Sequence, residues 1–309
     1  MIKDFIENQK IKVPLLISQV SKGINSNTGK QYLNINLQDA SGTIEGKKWE
    51  INESDLEIAI PGKVVLVTGE VLKYRNSNQI KITMLNEMTE PFMLQDFIKS
   101  APIEQEELFD RIMSYVLSIK DEKIHNFVDL MIIRNIDAFK DYPAASRNHH
   151  EYHAGLMHHV YGMLRLADAI CSIHENVDRD LLIAGIVLHD LGKTIELSGP
   201  IIPRYTFEGK LIGHISIMSS MIKELANELG YKDEWVTLLQ HMILSHHGKQ
   251  EYGSPVLPST LEAELLHEID NMDSKINMFN KALNDLEEGS FSGKQFSLDE
   301  RVIYKPHKR

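Results

Sequence analysis

Between residues 11 and 85, apolar and polar positions alternate in short runs rich in β-branched side chains. KVPLLISQV, YLNINLQD, TIEGKKWE, KVVLVTGEVLKY and QIKITML predict five strands. Turn-forming residues separate them at Asn25 to Lys30, Asp39 to Gly42 and Asn76 to Asn78. Between the third and fourth runs, ESDLEIAI predicts a short helix that Pro61-Gly62 closes.

Five strands with a helix between the third and fourth is the order of an OB-fold barrel. From about residue 91 the period changes. Apolar residues recur at helical spacing through 104–139, 153–175, 179–190, 214–229, 232–246 and 258–286. The pattern predicts a multidomain α and β protein. An OB-fold β-barrel, a fold that often binds nucleic acid, occupies 1–90, an all-α domain occupies 91–288, and 289–309 is a polar, weakly patterned tail.

Composition narrows this picture in three ways. The chain has 309 residues, enough for two domains with their own cores. No run approaches the roughly 20 apolar residues that span a bilayer, and MIKDFIENQK lacks the pattern of a secretory signal. A single cysteine, Cys171, excludes an internal disulfide and a cysteine-based zinc site, which points to a cytoplasmic protein. The net charge is -11, yet residues 1–90 carry 11 basic and 11 acidic side chains, leaving 22 and 33 for the rest. The predicted nucleic-acid module is therefore neutral, and the excess acidity lies in the helical part.

The fourteen histidines are unevenly placed, and none precedes His125. His159 lies in AGLMHHVYGML, and His189-Asp190 ends the apolar run LLIAGIVLHD. His214 opens a helix at IGHISIM, His246-His247 ends HMILSHH, and Asp270 lies in LLHEIDNMDSK. One histidine on an apolar face is ordinarily a core residue with a backbone hydrogen bond. Five histidines and two aspartates over five helices call for a common partner, because burying so many titratable groups uncompensated is costly. A metal centre supplies it. Imidazole and carboxylate without thiolate suit Mn, Fe, Zn, Co or Mg. An adjacent His-Asp pair can serve two metals, and two metals about 3.5–4 Å apart can share a hydroxide and clamp a phosphate ester.

Neighbouring residues on a helix point about 100° apart, so one member of each pair, His158/His159 and His246/His247, should face a metal. Asp273, one turn beyond Asp270, can orient a ligand or sit exposed. Arg147, His149 and His150, before the first motif, are either phosphate contacts or ordinary loop residues. The same choice holds for Arg204 in the loop between the second and third motifs.

The order H…HD…H…H…D, with His-Asp followed by Leu-Gly-Lys, resembles the HD superfamily of metal-dependent phosphohydrolases. AGLMHHV is similar to a G-G-L-x-x-H element of one branch, and this match selects His159 over His158. The resemblance implies one metal on His159, His189, Asp190 and Asp270, and a second on His214 and His246. Asp190 bridges the two, and Lys193 of HDLGK meets a phosphate.

OB-folds often bind single-stranded nucleic acid through basic and aromatic side chains. Tyr32 and Trp49 are candidates to stack on bases, with lysines including Lys47 and Lys48 along the backbone; the alternative is that these aromatics belong to the barrel core. Across nearly its whole length the chain resembles the YhaM-type bacterial 3′→5′ exoribonucleases. The runs that carry the likeness are RNHHEYHAGLMHHVYGML, GIVLHDLGK, LSHHGKQEYGSPVLP and EAELLHEIDNMDSK. That resemblance implies hydrolysis of single-stranded RNA, with single-stranded DNA as a further substrate, to nucleoside 5′-monophosphates. It also implies two divalent ions, Mn2+ first, with Fe, Co, Zn or Mg as alternatives. Two other readings stand beside it. One is an HD-type phosphodiesterase or nucleotidase for cyclic or free nucleotides. The other is a nucleic-acid-binding protein with a structural metal site. A homo-oligomer is compatible with the sequence, and no membrane association is expected.

Overall fold

The computed structural model describes residues 1–25, 28–74, 77–98, 100–144, 152–284 and 286–308. The chain divides into two units, Met1–Ser100 and Ala101–Arg309. Each has its own apolar core.

The first unit contains β1 (Lys10–Ile24), β2 (Gln31–Asp39), β3 (Gly42–Lys48), α1 (Glu53–Ile58), β4 (Val64–Tyr74) and β5 (Ser77–Glu87). The strands close into a barrel in the order β1-β2-β3-β5-β4. All neighbours are antiparallel except β3 and β5, which run parallel from Glu45 opposite Gln79 to Lys48 opposite Ile82. Closure leaves no unpaired sheet edge. Strand alternation carries Leu33, Ile35 and Leu37 of β2 and Val65, Val67 and Val71 of β4 to the interior. The pairing of β4 with β5 shifts at Thr68/Gly69. A Cβ at Gly69 would stand 2.5 Å from the Lys81 carbonyl oxygen, so the close approach there requires glycine. A capping box starts α1: the Asn52 side chain accepts from the Asp55 amide, and the Asp55 carboxylate accepts from the Asn52 amide. Five strands with a helix between the third and fourth is thus the observed order, as the alternation predicts.

Residues beyond 90 join this unit. Phe97 and Ile98 are buried. The Gln38 side chain donates to the Phe97 carbonyl, and the Ala40 amide donates to the Asp96 carbonyl. These contacts extend the barrel unit to Ser100, past the 90/91 boundary read from periodicity.

The second unit is helical: α2 (Gln105–Leu117), α3 (Glu122–Arg134), α4 (Ile136–Asp141), α5 (Gly155–Ile173), α6 (Arg179–Leu188), α7 (Lys193–Glu196), α8 (Phe207–Leu211), α9 (His214–Glu228), α10 (Glu234–Ser245) and α11 (Leu261–Asn284). Side chains cap several N-termini: Glu104 on α2, Asp121 on α3, Asp178 on α6 and Thr206 on α8. α6 is buried from Leu181 to Leu188, as a helix that is apolar all round must be. It is the central helix, with α3, α5, α10 and α11 packed against it. The stretch 289–309, read as a tail, contains a hairpin of β6 (Phe291–Gln295) and β7 (Arg301–Tyr304) that packs on α11. Its hold is apolar, through buried Leu298 and Ile303, with the Ser292 hydroxyl accepting from the Ile303 amide.

Candidate metal centre

Two imidazoles are set by helix endings. α6 ends inside the core, and its C-cap residue, His189, donates from Nδ1 to the Ile186 carbonyl at 2.8 Å. α10 ends in the same way, with His246 Nδ1 donating to the Ile243 carbonyl at 2.7 Å. A carbonyl can only accept, so Nδ1 carries a proton in both rings and Nε2 is the atom left to face the centre. His159, within α5, donates from Nδ1 to Asp273 at 2.7 Å and turns Nε2 towards Asp270, 3.1 Å away. His214 begins α9, where its backbone amide and Nδ1 both meet Glu196 Oε1 at 3.1 Å.

These atoms form two groups. The ligand atoms of His159, His189 and Asp270 lie within 4.8 Å of one another, and so do those of His214, His246 and His247. Asp190 stands between them. Its Oδ2 lies 3.3 Å from His189 Nε2 and 2.6 Å from Lys193 Nζ. Its Oδ1 lies 3.5 Å from His214 Nε2 and 3.9 Å from His246 Nε2. The Nε2 atoms of His189, His214 and His246 and Oδ1 of Asp190 are buried without a hydrogen-bond partner among the described residues. Each such atom costs about 1–3 kcal/mol unless something satisfies it. Divalent cations held by these residues would satisfy all four at once. The donor set fits such ions: imidazole and carboxylate, no thiolate, with orienting carboxylates behind His159 and His214.

The charge state of each buried group is set by its neighbours. Burial opposes charge on Asp190, but Lys193 and His189 outweigh it and hold the carboxyl well below the usual range. Burial likewise opposes charge on Asp270, and His159 reverses the balance. Burial also disfavours a charged His159, yet Asp270 and Asp273 push it up to about 10. His246 moves the other way: burial, then His247 and His189, hold it well below the ordinary value, so it stays neutral and able to ligate. Lys193 keeps its charge because Asp190 outweighs burial.

The six residues read as ligands, His159, His189, Asp190, His214, His246 and Asp270, are therefore brought together. Helix geometry separates His158 from His159: His158 Nδ1 meets the Tyr152 hydroxyl at 2.7 Å. The expectation that only one of His246 and His247 faces the centre is corrected, because α10 has ended by then. His247 reaches the same group, its Nδ1 donating to the Tyr252 carbonyl at 2.7 Å. Arg204 is exposed, on a turn where Leu197 and Tyr205 form an isolated bridge. Arg147, His149 and His150 lie outside the described residues. Sequence reading missed Glu196, although it falls one turn after Lys193 in HDLGKTIE. Gly192 of the same motif lets the α9 backbone in: a Cβ there would stand 2.4 Å from the His214 carbonyl oxygen.

On the barrel, Lys48 is corrected as an RNA contact. It is buried, 3.3 Å from Asp55, and also bonds the Glu50 carbonyl. Lys47 is the exterior lysine. Its ammonium lies 5.6–5.7 Å from the ring centres of Tyr32, Trp49 and Tyr74. Tyr32 and Trp49 are 4.6 Å apart, and Trp49 and Tyr74 are exposed.

Comparison with known proteins adds the lineage. The HD domain family model matches residues 156–275, a span that holds all six candidate residues. The chain is 43% identical over 300 residues to the 3′-5′ exoribonuclease YhaM of Geobacillus sp. (strain WCH70), covering 96% of this chain and 92% of the relative. It is 45% identical over 294 residues to YhaM of Bacillus subtilis (strain 168), covering 94% and 93%. With YhaM of Bacillus pumilus (strain SAFR-032) the identity is 44% over 300 residues, covering 96% and 95%. With this identity across nearly the whole of both chains, and an HD domain around the centre, the protein belongs to the YhaM family.

Proposed function

We propose that this chain is a divalent-metal-dependent hydrolase that removes nucleotides from the 3′ end of single-stranded RNA and releases nucleoside 5′-monophosphates. The observation that carries this reading is Asp190, whose two oxygens face two separate groups of ligand atoms. The relatives' shared name, 3′-5′ exoribonuclease, supplies the polymer and the direction. We assign the ligand roles to His159, His189, Asp190, His214, His246 and Asp270, with His247 completing the second group.

Two divalent ions, Mn2+ in our assignment, supply when bound an activated water and charge stabilisation at the attacked phosphate. The chain's own residues do the rest. Glu196 and Asp273 fix the rings of His214 and His159. Lys193 stays charged beside Asp190, lines the cleft above the centre, and meets a phosphate oxygen there. Tyr32, Trp49 and Lys47 offer stacking and charge to a single strand. Single-stranded DNA is a further substrate in this reading, and the cytoplasm its place of action. Among the described residues no helix is long and apolar enough to cross a membrane.

The test is cleavage of single-stranded RNA labelled at its 5′ end, with Mn2+ and then with chelator. The expected result is a ladder of ever shorter labelled products in Mn2+ and intact RNA in chelator. RNA left whole under every divalent ion tried would overturn the reading and turn attention to cyclic and free nucleotides.

A further inference from the structure

The metal centre opens into a cleft of about 780 Å3, whose lining includes Lys193, His247 and Asp270. The same cleft is lined by Lys275 of α11 and by Arg301 of the C-terminal hairpin. Arg301 is held in place. Its Nε donates to the Leu298 carbonyl at 2.9 Å, and its guanidinium lies 5.5 Å from the ring centre of Phe279 on α11. The turn before it is made by Asp299 and Glu300, both left-handed at φ 55° and 57°, a conformation non-glycine residues adopt at a cost. Its ion pair with Asp299 is 3.6 Å long, with the aspartate 88% exposed, so it competes little for an incoming anion. Lys275 is exposed and has no ion pair among the described residues. Tyr252, also exposed and lining the cleft, has the Lys249 ammonium 5.5 Å from its ring centre. Lys275 further lines a groove of about 510 Å3 beside Met272, Ile276 and Phe279, so the space continues along α11.

A negative polymer approaching a centre rich in carboxylates needs cations beside its path. Single-strand sites pair such cations with aromatic faces that accept any base. Taking the exoribonuclease reading as its basis, we infer that the C-terminal hairpin is one wall of the RNA cleft. Arg301 and Lys275 contact the phosphates of the terminal nucleotides, and Tyr252 offers its ring to a base.

The test uses the full chain, a short single-stranded RNA, and the variants R301A, R301K, K275A and K294A. Lys294 lies on the same hairpin, paired with Glu300 at 3.0 Å, and is not part of the cleft lining. R301A and K275A are each expected to raise KM about tenfold, with kcat changed far less. R301K should recover part of the loss, and K294A should leave both constants unchanged. Binding measured without divalent ion should show a slope of log affinity against log salt that is shallower by about 0.7 for each lost contact. Unchanged KM and salt slope in both variants, or a fall in kcat alone, would overturn the cleft assignment and leave the exoribonuclease reading standing. Binding that depends on Arg301 and Lys275, without release of mononucleotides in Mn2+, would sustain the cleft and sink that reading.

Discussion

Both units bury charged side chains, with opposite outcomes. In the barrel, Lys48 and Asp55 lie 3.3 Å apart, and the lysine also bonds the Glu50 carbonyl, so the pair closes on itself. In the helical unit, His189, Asp190, His214 and His246 are as deeply buried, yet each keeps an atom without a hydrogen-bond partner among the described residues. Those atoms converge on a single carboxylate. Burial alone therefore does not mark a functional group. A closed polar set belongs to the architecture. An open one, aimed at a common point, is a site for something the chain itself does not supply.

The comparison breaks first if the open set is dispensable. Asp190→Ala removes the carboxylate whose two oxygens face the two groups, and kcat should fall by more than about a thousandfold. Circular dichroism should keep its helical signature, while the metal-free variant melts lower than wild type, because Lys193 is left buried without its partner. Turnover within about tenfold of wild type, in protein stripped and reloaded with metal, would show that Asp190 does not join the two groups.

Opening the closed pair should cost stability instead of activity. Lys48→Met leaves Asp55 buried without its partner and is expected to destabilise the barrel by about 3–5 kcal/mol in denaturant melts. The double variant K48M/D55L should recover most of that, because both charges are gone. Equal losses in single and double variants would assign the effect to packing of the lysine stem.

A finer effect tests the orienting carboxylates. Glu196→Gln should weaken Mn2+ binding about 10- to 100-fold in a titration of metal-free protein, with the fold unaffected. Unchanged affinity would remove Glu196 from the centre. A comparable effect, on RNA binding instead of metal binding, belongs to the barrel surface. Trp49→Ala should cost about 1–3 kcal/mol of affinity for long RNA, read by fluorescence anisotropy, without moving the melting temperature. A loss of stability with unchanged RNA affinity would return Trp49 to the barrel's packing.

Much of this was legible from residue order. The alternation of YLNINLQD placed Leu33, Ile35 and Leu37 inside, and the unbroken apolar run of α6 announced a central helix ending in His189-Asp190. The same alternation held a signal that went unread. In TIEGKK, Ile44, Gly46 and Lys48 share the inward face, so Lys47 is the exterior lysine. Helix spacing does not decide between His246 and His247, because α10 ends at Ser245 and both rings follow its last turn. The hairpin at 291–304 leaves little mark on the sequence, because its strands are short and mostly exposed.

By itself the sequence determined most of the elements and the chemistry: the five barrel strands, a run of amphipathic helices, and histidines and aspartates at helix ends and on apolar faces. These follow from short-range periodicity and from the kinds of side chain present. Only the tertiary structure decided which atoms meet. His159 and Asp273 are 114 residues apart in the chain and 2.7 Å apart in the fold, because α5 and α11 both pack on α6. Gly162 permits that approach: a Cβ there would stand 2.4 Å from Asp273 Oδ1. Whether a buried charge is closed or open depends on such distances, which packing sets and local sequence does not contain.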